Sequence, residues 1–418
     1  MTSRRGLAVT LVLAGWHAIA PGRAARAEIA VELSGNFNLN YNDATGTVSQ
    51  KGFVLDLRPG IVLQTGEERL AWRAGYTFAG AMDLNGNGAP TYANQADLSL
   101  AVLLGKRSTM ILSAGVTQGG TAFQLSQRAP DAGQPTIRAP GNPSQVATTF
   151  TEGLAWEVSP SVSLSQGLTA AVSAPQSDLG RFNTTAGATL GLERRGVRNA
   201  LGVELRSSPS WLVPPVGGVR EWTLMSSLVG HWSRDLGARW SGQAAAGVQQ
   251  TITFAGSYPL AILPAGSLTA TYLYGSVAGS LNYSHAAAAN VETGTIALSD
   301  QVSLRGSLPL GGQRPVALGA SAGYLHTRPL GEAPSRVAVG TGDAVQVDFG
   351  LSWGLSESLV ASARYSLAYQ FNQPEPLEPS IAHVLLIGIS ARYRNVRHSL
   401  PMPSLGGQRV DGSDAVGF

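Results

Sequence analysis

Cysteine is absent from this 418-residue chain, which rules out the disulfide-stapled modules by which small exported domains offset a thin core. Lysine is almost absent too: Lys51 and Lys106 are the whole complement. Charged residues make up 13% of the chain, well under the roughly 25% typical of soluble domains, so a soluble protein of this size would be short of charged surface. No apolar run reaches the roughly 18 residues of a membrane-spanning helix. The histidines at 17, 231, 285, 326, 383 and 398 are scattered without ligand spacing, and no metal site is expected. Gly-x-Ser-x-Gly, P-loop and dinucleotide signatures are missing as well. The expectation is therefore a non-enzyme with no cofactor.

What is present begins with an export leader. Arg4 and Arg5 precede an apolar stretch from Leu7 to Ala20, and Ala25-Arg26-Ala27 offers small residues at a cleavage spacing. This reads as a signal peptide over 1–27. Its removal changes the charge balance: Arg4, Arg5, Arg23 and Arg26 go with it, leaving 29 − 4 = 25 basic against 26 acidic residues. The mature chain is near neutral, and nucleic acid is not an expected partner.

The dominant pattern is period-two alternation. In Val345-Gln346-Val347-Asp348-Phe349-Gly350-Leu351-Ser352-Trp353 the apolar residues fall on one face and the small or polar ones on the other. Comparable runs occur at about 29–42, 51–64, 69–81, 94–104, 107–118, 146–157, 161–173, 182–194, 197–207, 219–233, 238–252, 268–274, 277–285, 293–306, 315–326, 343–353, 358–371 and 381–394. Tight links such as Gly66-Glu67-Glu68, Gly105-Lys106, Ser159-Pro160, Arg195-Gly196 and Asp235-Leu236-Gly237 alternate with longer ones, as periplasmic turns alternate with external loops. Parity requires a tight turn at Gly275-Ser276, which brings the count to eighteen; sixteen is the next even alternative. The expected fold is all-β: a transmembrane antiparallel up-and-down β-barrel over 28–394, in the outer membrane of a Gram-negative bacterium.

The two faces then meet two solvents. Leu70, Trp72, Ala74, Tyr76 and Phe78 form one outward stripe, Trp222, Leu224, Leu228 and Trp232 a second, and Leu359, Ala361, Ala363, Tyr365, Leu367, Tyr369 and Phe371 a third. Aromatics gather toward stripe ends, as in interfacial girdles. The opposite face carries Asp56, Arg58, Arg73, Asp97, Glu157, Glu193, Arg198, Glu204, Arg206, Glu221, Arg239, Arg305, Asp348, Arg364, Arg392 and Arg394. A charge at mid-bilayer facing lipid costs about 2–4 kcal/mol for Arg or Lys, so these are the lumen-facing candidates, whether for pairing across the wall or for selectivity.

Three segments interrupt the pattern. Gly119–Gln145 is the longest internal loop, stiffened by Pro130, Pro135, Pro140 and Pro143, and a loop of that length usually has a task. Asn372–Ser380 is a proline-rich acidic excursion. From 395 to 418 the chain becomes a polar Pro/Gly tail whose final Phe418 resembles a barrel-assembly signal, although Gly412 and Asp414 break the alternation before it.

Across nearly all of 28–394 the pattern resembles the medium-sized outer-membrane barrels of Gram-negative bacteria. The cadence Leu281-Asn282-Tyr283-Ser284-His285, then Leu298-Ser299-Asp300-Gln301-Val302-Ser303-Leu304, then Ala320-Ser321-Ala322-Gly323-Tyr324, is similar to the eighteen-stranded barrels of myxobacterial exopolysaccharide export. That resemblance carries no signature site. It implies a conduit for a hydrophilic polymer, with periplasmic polysaccharide-export proteins as partners, alongside outer-membrane lipid, lipopolysaccharide and the barrel assembly machinery. A general or solute-specific diffusion porin, or a non-conducting adhesion or scaffold barrel, are the alternatives the sequence leaves open.

Overall fold

The computed structural model describes residues 29–395 apart from 46–49, 67–68, 86–89, 120–144, 177, 180–181, 214–220, 255–259, 291–294, 312–314, 331–341 and 373–378. The expected leader over 1–27, the 119–145 loop interior, most of 372–380 and the tail beyond 395 lie outside the described residues.

The alternating runs form eighteen strands: β1 (Ala30–Thr45), β2 (Gln50–Gly66), β3 (Leu70–Asp83), β4 (Thr91–Gly105), β5 (Ser108–Gly119), β6 (Gln145–Ser159), β7 (Val162–Pro175), β8 (Asn183–Arg195), β9 (Asn199–Leu212), β10 (Glu221–Asp235), β11 (Trp240–Thr253), β12 (Ala261–Tyr274), β13 (Val277–Asn290), β14 (Thr295–Leu310), β15 (Val316–Pro329), β16 (Gly342–Ser356), β17 (Leu359–Phe371) and β18 (Ser380–Arg394). Each pairs antiparallel with its sequence neighbours, and β1 pairs with both β2 and β18. The sheet therefore closes on itself as a barrel in which every strand has a partner on both sides, which is the condition for a sheet to sit in lipid. The expected count of eighteen holds, and Gly275, with φ +58°, makes the two-residue turn that parity required.

Connections at one end of the barrel run from two to five residues, and at the other from four to twenty-five. Several strands are longer than the sequence suggests, three of them by five residues or more at one end. β12 begins at Ala261 rather than near 268, and β13 continues to Asn290 rather than 285. Pro264 and Gly266 in the first extension, and the Ala286–Ala289 tract in the second, carry no alternating signal. β9 likewise runs on to Leu212, through Pro209.

Burial is inverted relative to a soluble protein. Among the described residues the buried hydrophobics are mostly alanines, and the largest fully buried side chains are Thr223 and Ser210. The large apolar groups lie outside: Phe37, Leu57, Tyr76, Trp222, Leu228, Phe349, Trp353 and Ile387 are each more than two-fifths exposed. The molecule has a wall instead of an apolar core, with hydrogen-bonded backbone in the wall and apolar side chains on its outer face.

Candidate functional site

The lumenal face follows from register. On β2 the exposed Phe53, Leu57 and Ile61 alternate with Asp56 and Arg58; on β9 the exposed Leu201, Val203 and Leu205 alternate with Glu204 and Arg206. The same parity puts Arg73, Asp97, Glu157, Glu193, Arg305, Asp348, Arg364, Arg392 and Arg394 on the face opposite the apolar one. Arg198 and Arg239 differ from expectation. They lie in the turns just before β9 and β11, because those strands start later than the alternation suggested, and Arg239 stacks 3.8 Å over the Tyr274 ring. Glu221 opens β10, but its side chain is outside the described residues.

Most of the lumenal charges for which contacts are defined are paired, and the pairs follow a simple rule. Residues i and i+2 share a face, so an acid-x-Arg triplet places carboxylate and guanidinium side by side. Arg58 donates to Asp56 at 2.8 and 2.5 Å. Arg195 donates to Glu193 at 2.5 Å, and Arg206 donates to Glu204 in the same way. Between them these pairs hold acid and base in equal number, so that stretch of wall is polar yet carries little net field.

The cluster on β8 to β10 is the most elaborate. His231 of β10 stands opposite Gly202 of β9, which stands opposite Glu193 of β8. Gly202 leaves the space: a Cβ there would sit 2.1 Å from His231 Nε2. The imidazole thus crosses over β9 to within 3.5 Å of the Glu193 carboxylate. Glu193, Glu204 and His231 line two adjoining recesses of the inner wall, of about 700 and 410 Å³. Two carboxylates and an imidazole thus face these recesses, groups able to exchange hydrogen bonds with hydroxyls.

Two further hubs fasten the wall. Asp348 on β16 accepts from Arg364 (2.8 Å) and Ser366 (2.5 Å) on β17, Ser321 (3.2 Å) on β15 and Gln346 (3.0 Å), tying three strands together at a 3% exposed carboxylate. At the closure of the barrel, Glu32 of β1 accepts from Arg392 (2.5 and 2.8 Å) and Arg394 (3.1 and 2.7 Å) of β18. Asn395 adds a side-chain acceptor for the Val31 amide at 2.8 Å. First and last strands are thereby clamped on the short-turn side.

The sequence reading missed residues on the other face. His285 of β13, Asp300 of β14, His326 of β15 and Asp343 of β16 are register partners in succession, on the parity of the apolar side chains. His285 Nδ1 lies 2.6 Å from Asp300, to which Tyr283 also donates at 3.1 Å; His326 Nδ1 lies 2.8 Å from Asp343, to which Tyr324 donates at 2.5 Å. The signal was a repeated Tyr-x-His with an acid on the next strand. These residues approach the long-loop end of the barrel, where polar groups are least costly on an outer face. Glu152 is a different case: it sits in mid-strand between Leu112 and Leu168 on the outward parity. No group of three or more His, Cys, Asp or Glu residues with metal-binding geometry occurs among the described residues.

No protein-family model matches the chain, and no curated protein does. Solved structures that it resembles are outer-membrane barrels. OccAB3 from Acinetobacter baumannii aligns over 88% of this chain and 99% of its own, at 10% identity and TM-score 0.46. OpdO from Pseudomonas aeruginosa aligns over 88% and 98%, at 9% identity and TM-score 0.46. The FrpB iron transporter from Neisseria meningitidis aligns over 87% and 82%, also at 9% and 0.46.

Proposed function

We propose that the chain is an outer-membrane channel for hydrophilic solutes of little or no charge. The observation that carries this reading is the two-faced wall: eighteen closed strands with apolar side chains outside and hydrogen-bonding side chains inside, three acid–arginine pairs among them. Barrels of 16–18 strands are wide enough to leave an aqueous passage. Because Asp56, Glu193 and Glu204 are each matched by an arginine on the same strand, those groups offer hydrogen bonds to a passing hydroxyl without a strong field to select ions. Selection is then by width and hydrogen bonding, and no bond is made or broken. Lipopolysaccharide, outer-leaflet lipid and the barrel assembly machinery are the partners this reading implies.

Swelling of vesicles carrying the full chain tests it. Entry of uncharged mono- and disaccharides faster than of equally sized dicarboxylates or diamines is the expected result, and vesicles that do not swell would refute it. Export of an exopolysaccharide is a narrower form of the same reading that rests on the sequence resemblance alone. Loss of surface polysaccharide on deletion of the gene, with sugar uptake intact, would select it.

A further inference from the structure

The wall is not hydrogen-bonded all the way round. β12 pairs with β11 along its length up to Ala261, and β13 pairs with β14 up to Asn290. Yet β12 and β13 pair with each other only from Tyr274↔Val277 to Gly266↔His285. Residues 261–265 and 286–290 are strand on both sides of a seam that has no ladder across it. At roughly 3.3 Å per residue the seam is about 16 Å long, which, with strands tilted about 40°, is roughly half of a 25 Å apolar band. It lies on the long-loop side.

The cause is local. Continuing the register by two residues would set Pro264 opposite Ala287. Ala287 turns both its N–H and its C=O toward this seam, so the pair would be one of the hydrogen-bonded kind, and proline has no N–H to give. Gln249 of β11 supplies the missing partner from the lumen. Its Nε2 donates to the Ala287 carbonyl at 2.8 Å, and its Oε1 accepts from the Ala287 N–H at 2.9 Å. A side-chain amide thus replaces one peptide of the absent ladder, and unlike a strand it can swing away by side-chain rotation.

Both sides of the seam suit a molecule with an apolar chain and a polar head. Inside, the larger recess, of about 700 Å³, reaches it: Gln249, Ala265, Gly266, Ala286, Ala287 and Ala288 are among its lining. Outside, Ile262 of β12, beside the seam, is 67% exposed on the lipid-facing parity. We propose that the β12–β13 seam is a lateral gate, latched by Gln249, through which a single-chain amphiphile passes between the lumen and the outer leaflet. The proposal rests on the reading of the barrel as a water-filled channel. Anchored by its full ladder to β14, β13 is the fixed jamb, and release of the Gln249 amide frees its residues 286–290 from β11 while every backbone ladder between strands stays intact.

The absence of native cysteine allows a clean test on the full chain in lipid vesicles. Leu263 and Ala288, which the continued register would set opposite each other, are both replaced by cysteine and joined, by disulfide or by a short bis-maleimide, with Pro264 left in place. A fluorescent lysophosphatidylcholine is added outside, and its arrival at albumin trapped inside is followed alongside potassium chloride conductance. The uncrosslinked double variant should carry the probe, joining the strands should slow it at least fivefold while conductance changes less than twofold, and reduction of the disulfide should restore it. Gln249→Ala should speed transfer several-fold and hasten hydrogen exchange at the Ala287 amide. Equal transfer before and after joining, no effect of Gln249→Ala on transfer, or wild-type transfer no faster than in protein-free vesicles would overturn the gate. Loss of conductance in the wild type would instead overturn the channel reading itself.

Discussion

Replacing Asp348 by alanine should be among the most damaging single changes in the lumen. The carboxylate is 3% exposed and accepts from four side chains on three strands, with Arg364 as its charged partner at 18% side-chain exposure. Truncation removes the carboxylate counter-charge of a guanidinium that is itself mostly out of water. Breaking a buried pair by removing one member costs about 3–5 kcal/mol, and nearby lumenal water pulls the expectation to the lower end, about 3 kcal/mol. By the factor of ten per 1.4 kcal/mol, that is on the order of a hundredfold in the folded-to-unfolded ratio. Asp348→Asn keeps an acceptor and should lose about half as much. The double variant Asp348→Ala with Arg364→Met removes both charges and should recover most of the loss, because the penalty lies in a mostly buried cation that has lost its carboxylate. Urea unfolding in short-chain lipid vesicles, read by tryptophan fluorescence with Trp353 on the same strand, supplies the midpoints. A single variant within about 0.5 kcal/mol of wild type, or a double variant no better than the single, would refute the reasoning.

Three other outcomes follow from the same wall. Glu32→Gln should weaken the β1–β18 clamp by about 1–2 kcal/mol, discounted for the 41% exposure of Arg392, and lower the temperature at which the unheated barrel loses its compact gel mobility; unchanged mobility would argue against the clamp. Glu152→Leu, on the outward face between Leu112 and Leu168, should raise urea resistance by about 1 kcal/mol, and a loss of stability would mean that the carboxylate meets a partner rather than lipid. Glu193→Lys combined with Glu204→Lys should shift the reversal potential toward anion selectivity, whereas Glu152→Lys should leave it unmoved.

Fold class and strand number were legible because period-two alternation is a direct imprint of two solvents, and because link lengths supply parity. The missing parts have physical reasons. Pro264 and the Ala286–Ala289 tract give neither polarity nor bulk to alternate, so the ends of β12 and β13 read as loop. Those same residues flank the seam, so the weak sequence signal and the absent ladder share a cause. In the sequence His231 is one scattered histidine and Arg195 part of a tight link; their roles depend on Gly202 and on the acid two residues away. The outward His–Asp row was equally hidden, since its members lie on four different strands and meet only through register.

The central claim is that the barrel encloses water. Planar-bilayer recording of the purified full-length chain tests it most directly. Stepwise conductance that rises in proportion to potassium chloride concentration, with a reversal potential near zero in a salt gradient, is the result expected of a wide passage whose charges are paired. Silent insertions, or steps that saturate at low salt with strong ion selectivity, would contradict it.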